Sequence, residues 1–394
     1  MKNLSQQIKS AFFSQYIIDG IRYDIPPAVL LDECMMRNGR MSVEESGVVC
    51  SANDIVDESK EPSLSSLKYD SGKTAEYADI VAKASSEPRP FNMVCPEHFT
   101  MLRIAGALID FIWNDGHFRL GDLCVYPEWK WNMSPVGNMA AFYKSVESMS
   151  SYLFDLGVKV CNYDISESCG DSFLEIGVSI VDSAKSDSEN ESDDTFLFKS
   201  SPFESRHPKA ATGRKCNPNA SSDPERWIIY IPFDPCRFKM GGSLLSTVLG
   251  EHSGTAPEIG DPDYFIDCYE VVRELVEDGI ICAGVSVADG GIAGGLMKLG
   301  AGNGIDTDMS GIMSSYRETN LVNILFAEVP GVLVEIEDYN FDYFDSQMLL
   351  QDVAYYPIGH PDPEKSGTMF GAGDNNGIAN ILASLMGQAS EGED

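Results

Sequence analysis

The sequence has few basic side chains and no long apolar run. Lysine and arginine together number 28 against 61 aspartates and glutamates, so the formal net charge of the 394 residues is −33. So little positive charge excludes proteins that bind nucleic acids through their phosphates and proteins that dock on anionic membranes. No stretch reaches the roughly 18 apolar residues that a membrane-spanning helix needs. We therefore expect a cytoplasmic, globular protein without a nucleic-acid or membrane partner.

The common metal and catalytic motifs are also missing. The ten cysteines contain no C-x-x-C pair and the five histidines have no zinc-finger spacing, which argues against a structural zinc site. Free thiols in a reducing compartment are expected instead. The sequence lacks the Gly-x-Ser-x-Gly elbow, the His-Glu-x-x-His helix, the P-loop and the dinucleotide-binding fingerprint. Generic motifs therefore assign no chemistry.

Hydrophobic periodicity predicts both helices and strands. Apolar residues recur at three- and four-residue steps, which predicts amphipathic helices, over 101–112, 138–156 and 263–278. Short apolar or alternating runs predict strands over 158–160, 173–181, 226–232 and 331–336. Because helices and strands alternate without a regular βαβ order, the pattern favours the α+β class.

A change of composition divides the chain. Residues 183–226 combine an acidic, serine-rich run with several prolines, which predicts a flexible insertion. The length suggests two domains. The predicted organisation is an N-terminal domain over 1–182 with a poorly defined start at 1–85, the insertion over 183–226, a C-terminal domain over 227–371 and a tail over 372–394.

Two glycine-rich segments are candidate anion-binding sites. Gly241-Gly242-Ser243 follows a predicted strand, where consecutive backbone N–H groups can form a nest for an anion. Asp289-Gly290-Gly291 opens a predicted small-residue helix over 290–300, and its glycines allow close approach of an anion. An ordinary capped helix start remains the alternative for the second segment.

The order of these segments resembles the phosphoribosylformylglycinamidine (FGAM) synthase family of the AIR-synthetase-like superfamily. After the two glycine segments come Leu325 to Gly331, a strand at 332–334 and Ile358-Gly359. The resemblance covers about residues 90–370 and is nearest to the second half of that enzyme, without its glutaminase domain. It implies an AIR-synthetase-like N-terminal lobe, a ferredoxin-like half-barrel, plus a C-terminal α/β lobe.

The resemblance also implies a function. It suggests one half of an ATP-dependent, amidine-forming ligase of purine biosynthesis, which uses ATP or ADP with Mg²⁺. By the resemblance, phosphate is expected at Gly241, Gly242, Ser243, Asp289, Gly290 and Gly291. The residues expected at Mg²⁺ are Asp164, Asp289 and Glu328. For Asp289 and Glu328 the alternative role is capping and bracing of loops. No catalytic residue is assigned.

The chain departs from the family pattern at the positions whose side chains contact phosphate in the family. The Lys-x-Glu-Thr-His-Asn-His-Pro motif is absent, and the Gly-Lys-Asp-Ser loop reads Asn162 to Ser166, which leaves Asp164 in place. The His-Asp pair before Asp-Gly-Gly reads Val285-Ser286. These losses predict a degenerate enzyme. The alternative is a non-catalytic scaffold or interaction protein, such as a viral structural protein, that retains the fold.

A single half implies partners. The two halves of the family enzyme share a barrel, so a lone half is expected to form a homodimer or heterodimer through the N-terminal lobe. Ammonia would have to come from a separate glutaminase subunit.

Overall fold

The computed structural model describes residues 6–35, 49–52, 80–81, 83, 87–181, 216–249, 255–300 and 304–363. The chain divides into two compact units. The first comprises 1–55, 88–108 and 118–213, and the second comprises 56–87, 109–117 and 214–394. The predicted tail over 372–394 and most of the predicted insertion lie outside the described residues, and the predicted domain boundaries stay a prediction.

In the described part of the first unit, the strands form two sheets. The elements described up to residue 180 are α1 (Gln6–Phe13), β1 (Gln15–Ile18), β2 (Ile21–Tyr23), α2 (Pro27–Cys34), β3 (Val49–Ala52), α3 (Pro96–Asn114), β4 (Leu123–Trp131), α4 (Asn138–Asp155), β5 (Lys159–Val160), β6 (Asp164–Glu167) and β7 (Phe173–Ile180). Strand β1 lies between β2, which is antiparallel to it, and β3, which is parallel. Strand β4 is parallel to β5 and β6 along one edge and antiparallel to β7 along the other.

Helix α4 packs on β4 through large buried side chains. The indole Nε1 of Trp129 donates a hydrogen bond of 3.2 Å to Ser145 Oγ. The ring of Trp131 lies 5.5 Å from that of Phe142, centroid to centroid. Both tryptophans are fully buried, so the apolar face predicted for 138–156 is the face that covers the sheet.

One five-stranded sheet organises the second unit. Its described elements are β8 (Trp227–Pro232), α5 (Leu244–Val248), α6 (Pro262–Glu277), β9 (Ile281–Val287), α7 (Gly291–Leu299), β10 (Gly304–Thr307), α8 (Ser310–Tyr316), α9 (Leu321–Phe326), β11 (Gly331–Ile336), α10 (Phe341–Leu350) and β12 (Tyr356–Asp362). The strand order is β10-β12-β8-β11-β9, and each of these neighbouring pairs is antiparallel. The mixed α+β class is confirmed, and this sheet is not the parallel sheet of a strict α/β lobe.

A single apolar layer on one face of this sheet positions the candidate site. Buried residues of β8, β9 and β11 form one cluster with buried residues of α5, α7 and α9. Gly295 allows helix α7 to approach the sheet closely. A Cβ at this position would lie only 2.9 Å from Leu333 Cδ1. This layer holds the start of α5 and the start of α7 on the same side of the sheet.

The last part of the predicted insertion is structured. Ser221 donates to Glu335 Oε1 through its backbone N–H at 2.9 Å and its hydroxyl at 2.7 Å. The Arg226 guanidinium lies 3.4 Å from Glu335 and 3.0 Å from Glu337. Glu335 is buried on β11 and needs donors. Ser221 and Arg226 are thus anchored to β11, residues 183–215 lie outside the described residues, and the flexible insertion stays a prediction.

The described structure also bears on membrane-spanning helices and on the cysteines. None of the helices in the described ranges is long and apolar enough to cross a membrane. The cysteine side chains that the structure describes form no disulfide with one another.

Candidate functional site

The first glycine turn, residues 241–243, leads from the loop after β8 into α5. Gly242 has φ +76°, a left-handed conformation that favours glycine. Ser243 is the N-cap of α5, since its hydroxyl accepts a hydrogen bond of 3.2 Å from Ser246 N–H. The N–H groups of Gly241 and Ser243 donate to the carbonyls of Thr255 and Met240, respectively. The turn is thus held by its own chain on both sides.

The second glycine turn, residues 289–291, joins β9 to α7. Gly290 and Gly291 have φ of +83° and +63°. A Cβ at Gly291 would lie 2.7 Å from the carbonyl oxygens of both Leu325 and Ala327. Glycine is required here because the backbone at the end of α9 passes directly over the turn.

Glu328 connects the two glycine turns. Its side chain is 1% exposed, and Oε1 accepts hydrogen bonds from Leu244 N–H at 3.0 Å and from Gly290 N–H at 2.9 Å. A buried carboxylate requires such donors. The sequence predicted the two turns and Glu328 as separate segments, and the structure brings them into one cluster.

Four of the backbone donors expected to bind phosphate are already engaged. The N–H groups of Gly241, Ser243, Gly290 and Gly291 each donate to an acceptor in the chain itself. In this arrangement these four amides do not fit a phosphate cradle, because each N–H group would have to exchange its partner. The finding supports the alternative role of Glu328, the bracing of loops.

The expected Mg²⁺ ligands lie in both units. Asp289 and Glu328 are buried in the second unit, whereas Asp164 lies on β6 of the first unit. Carboxylate oxygens are the donors that Mg²⁺ takes. In the described parts of the chain, no three His, Cys, Asp or Glu side chains are grouped so that they could hold a metal ion. The Mg²⁺ site stays a prediction.

Asp164 lies in an acidic part of the first unit. It stands opposite Glu128 in the parallel pair of β6 and β4, and its Oδ1 accepts a hydrogen bond of 2.9 Å from Ile165 N–H. Burial, followed by the negative charges of Asp164 and Glu128, raises the pKa of Tyr126 to about 12. This phenol therefore stays protonated at neutral pH.

Sequence reasoning missed the partner of Ser286. Ser286, on β9, stands where the family pattern has His-Asp, and its hydroxyl hydrogen-bonds to the carboxylate of Asp110 on α3. The two residues are 176 positions apart. No local pattern connects positions so distant, so only a structure could pair them.

These features define a class of protein. It is a mixed α+β protein in whose second unit one buried carboxylate links two glycine turns by hydrogen bonds. More particularly, the chain is a distant homologue of phosphoribosylformylglycinamidine synthase. No protein-family model matches it.

Three of the relatives found by sequence similarity are two phosphoribosylformylglycinamidine synthases, one of them described as probable, and one synthase subunit. Identity is 28% over 116 residues with the Homo sapiens enzyme, which covers 28% of this chain and 8% of the relative. It is 27% over 135 residues with the probable chloroplastic/mitochondrial enzyme of Arabidopsis thaliana, covering 34% and 9%. It is 31% over 118 residues with subunit PurL of Methanocaldococcus jannaschii, covering 29% and 16%. The similarity thus spans a small part of each relative.

Comparison with solved structures finds matches over about 70% of the chain at low TM-scores. PurLQS of Thermotoga maritima gives a TM-score of 0.44 at 12% identity, covering 70% of this chain and 38% of that one. The hydrogenase maturation protein HypE gives 0.41 at 15% identity, covering 67% and 74%. The relationship stated above is carried by the sequence similarity.

Proposed function

We propose that this chain is a degenerate FGAM-synthase-like protein with an AIR-synthetase-like fold. In this proposal it is one half of an ATP-dependent, amidine-forming ligase of purine biosynthesis. The sequence similarity to three synthases supports the assignment. The structural observation that carries it is Glu328, which joins the two turns that the family resemblance assigns to one nucleotide.

The ligand class is ATP or ADP with Mg²⁺. Asp289 and Glu328 supply carboxylate oxygens next to the second glycine turn, and oxygen ligands suit Mg²⁺. Because four amides of the turns are engaged, the carboxylates become the main candidates for holding the nucleotide through its metal.

Calorimetry with MgADP and MgATP tests the binding step. Micromolar, Mg²⁺-dependent binding that Asp289→Ala abolishes is the expected result. Asp308→Ala is the matched control, because Asp308 is an exposed aspartate that accepts from Ser310 N–H at the start of α8. A folded protein that binds neither nucleotide would overturn the nucleotide part of the proposal.

A turnover assay tests the ligase step separately. The protein is incubated with formylglycinamide ribonucleotide, ATP, excess Mg²⁺ and ammonium, alone and with a glutaminase subunit. Release of phosphate coupled to amidine formation with the complete set of partners would support the ligase assignment and refute degeneracy. Nucleotide binding without any turnover would refute the proposed enzymatic activity. The protein would then bind nucleotide in a structural role only.

The second candidate is a non-catalytic scaffold or interaction protein. Two observations favour it: the engaged amides of the glycine turns, and the Ser286–Asp110 hydrogen bond at the position of the family's His-Asp pair. It differs from the first candidate in binding no nucleotide while keeping a stable complex with another chain.

Dimerisation through the first unit is part of the proposal. Several apolar side chains of that unit are exposed, which suits an interface; they are Ile21, Ile25, Val136 and Phe154. Native mass spectrometry should find a dimer or a complex with a glutaminase subunit. A species of 43.1 kDa alone, across micromolar concentrations, would contradict this part.

A further inference from the structure

The outer face of α10 exposes large apolar side chains. Tyr339, in the short helical turn that leads into α10, is 80% exposed, and Tyr343, Leu349 and Leu350 are 45%, 70% and 75% exposed. Tyr343 lies four positions after Tyr339 and seven before Leu350, so these three share one face of the helical segment. Leu349 lies beside Leu350. We call these four residues the α10 surface.

The fold of the second unit does not need this surface for its packing. Phe344 and Met348, which are fully buried, form the inner face of α10. Single exposed apolar residues are common on proteins, but contiguous patches of them mark surfaces that another molecule covers. Burial of leucine and tyrosine side chains is also a main source of affinity in protein interfaces. The α10 surface is therefore a candidate docking surface.

Carboxylates border the α10 surface. Asp345 and Asp342 lie four and seven positions before Leu349, which places both on the same flank of the helix as this leucine. Asp352 follows the end of α10 directly. Over 318–364 the sequence contains neither lysine nor arginine. The helix and the residues around it in the chain thus supply negative charge and no arginine or lysine to the surface.

Two arginines on neighbouring elements are outnumbered by carboxylates. Arg273 of α6 is 5% exposed and is paired with three glutamates, which are Glu270, Glu274 and Glu277. Arg226, before β8, lies within 4 Å of three carboxylates, which are those of Asp223, Glu335 and Glu337. At the end of α6, Asp278 adds a further carboxylate 3.5 Å from the Tyr343 hydroxyl. These neighbours reinforce the negative charge next to the surface.

The charge and shape of the α10 surface select its partner. A second copy would bring the same aspartates against these, and an anionic membrane would be repelled in the same way. A helix satisfies its backbone hydrogen bonds internally, so α10 offers no edge to a partner strand. Apolar anchors one and two helical turns apart, bordered by carboxylates, fit a partner helix that carries apolar residues on one face and lysine or arginine beside them.

We propose that the α10 surface binds a basic amphipathic helix of another protein. The apolar face of the partner covers Tyr343, Leu349 and Leu350, and its lysines or arginines lie against Asp342 and Asp345. The surface contains none of the residues assigned to phosphate or Mg²⁺, so this proposal does not rest on the proposed function.

Fluorescence anisotropy with labelled peptides tests the proposal on the full chain. The probe is a leucine–lysine peptide of about 15 residues with its leucines on one helical face, and its control is a scrambled peptide of the same composition. At about 0.15 M NaCl, which screens nonspecific attraction, the probe should bind saturably and at least about tenfold more tightly than the scrambled peptide.

Two results with these peptides would overturn the proposal. Equal binding of probe and scrambled peptide would show attraction to the net charge of −33 alone. Absence of binding would show that the surface takes no such helix, including the case in which a second copy or residues 364–394 of the chain itself cover it.

A double variant of the apolar anchors locates the binding site. Leu349→Ser/Leu350→Ser should weaken binding of the probe at least about tenfold, because two leucines no longer become buried. Both side chains are exposed in the free protein, so circular dichroism and the thermal midpoint should stay close to those of the unaltered chain. Unchanged affinity in this folded variant would refute the assignment of the surface.

A second double variant tests the acidic border. Asp342→Asn/Asp352→Asn should weaken binding about two- to tenfold, and asparagine tolerates the left-handed conformation of Asp352, whose φ is +54°. The matched control is Asp122→Asn/Asp171→Asn, which removes two exposed carboxylates from the first unit and should leave the affinity unchanged. An equal loss in both variants would contradict a partner held at α10.

Discussion

The position of the buried Glu328 carboxylate is fixed by the hydrogen-bond donors that the carboxylate requires. Its carboxylate is almost completely buried, and one oxygen accepts from two backbone N–H groups, one in the first residue of α5 and one in the second glycine turn. Hydrogen bonds to an ionised acceptor are stronger than neutral ones. The side chain therefore ties the start of α5 to the start of α7.

Removing this carboxylate should destabilise the protein. Glu328→Ala leaves the buried N–H groups of Leu244 and Gly290 without an acceptor. At about 1–3 kcal/mol for each of the two unpaired groups, the free energy of unfolding should fall by about 2–6 kcal/mol. Urea denaturation followed by circular dichroism measures the change.

Glu328→Gln separates the two roles considered for this residue. Glutamine keeps a carbonyl oxygen for both amides, so a structural acceptor should lose less than about 2 kcal/mol. A Mg²⁺ ligand would instead lose its metal-dependent nucleotide affinity in both variants. Equal destabilisation by Gln and Ala would contradict the bracing role.

His98 makes the stability of the first unit depend on pH. Burial, followed by the positive charge of Arg89, lowers the pKa of His98 to about 3, and in the described structure neither ring nitrogen has a hydrogen-bond partner. The unfolded chain takes up a proton near pH 6.5, whereas the folded chain does not. Stability should therefore fall as the pH drops below about 6.5, by roughly 1.4 kcal/mol per pH unit at most.

Urea denaturation of His98→Leu at pH 7 and pH 5 isolates this effect. The variant should lose less stability between the two pH values than the unaltered protein. Phe91→Leu, at a buried ring 4.8 Å from Phe99, is the control for core damage without a titrating group. A parallel pH profile in His98→Leu and the unaltered protein would show that His98 does not titrate in this way.

At the scale of elements, the start of α7 depends on its glycines. Gly291→Ala would place a methyl group 2.7 Å from the carbonyls of Leu325 and Ala327, in a left-handed conformation that costs alanine about 1–2 kcal/mol by itself. We expect a loss of more than about 2 kcal/mol in unfolding free energy. Gly311→Ala is the control, since a Cβ there meets nothing within 4 Å and alanine favours the helix α8. A neutral effect of Gly291→Ala would refute the close packing over this turn.

Elements with strong local periodicity were predictable from the sequence. Helix α6 was expected at 263–278 and lies at Pro262–Glu277, and β11 was expected at 331–336 and lies there. Their signals come from residues a few positions apart, which one local window contains. The contacts of Ser221 and Arg226 were not predictable in this way, because they depend on a distant buried partner, Glu335.

The candidate site was predictable in its parts but not in its connections. The glycine turns were found from composition and family resemblance, and Glu328 from the resemblance alone. The two N–H groups that donate to Glu328 were not predictable, since Leu244 is 84 positions and Gly290 is 38 positions from Glu328. Hydrogen bonds across such separations follow from the packing of the whole unit.

At the scale of the whole molecule, the net charge of −33 acts on every part of the surface. Like charges repel one another more in the folded chain than in the expanded one, so the charge opposes folding. Added salt screens this repulsion, with a Debye length that falls from about 30 Å at 0.01 M to about 8 Å at 0.15 M.

The thermal midpoint should therefore rise by several degrees when NaCl increases over this range. Most of the gain should be complete near 0.15 M. A midpoint that rises only at molar salt would reflect exclusion of the salt from the protein surface, and one that falls would mean that ion pairs such as Arg226–Glu337 outweigh the repulsion.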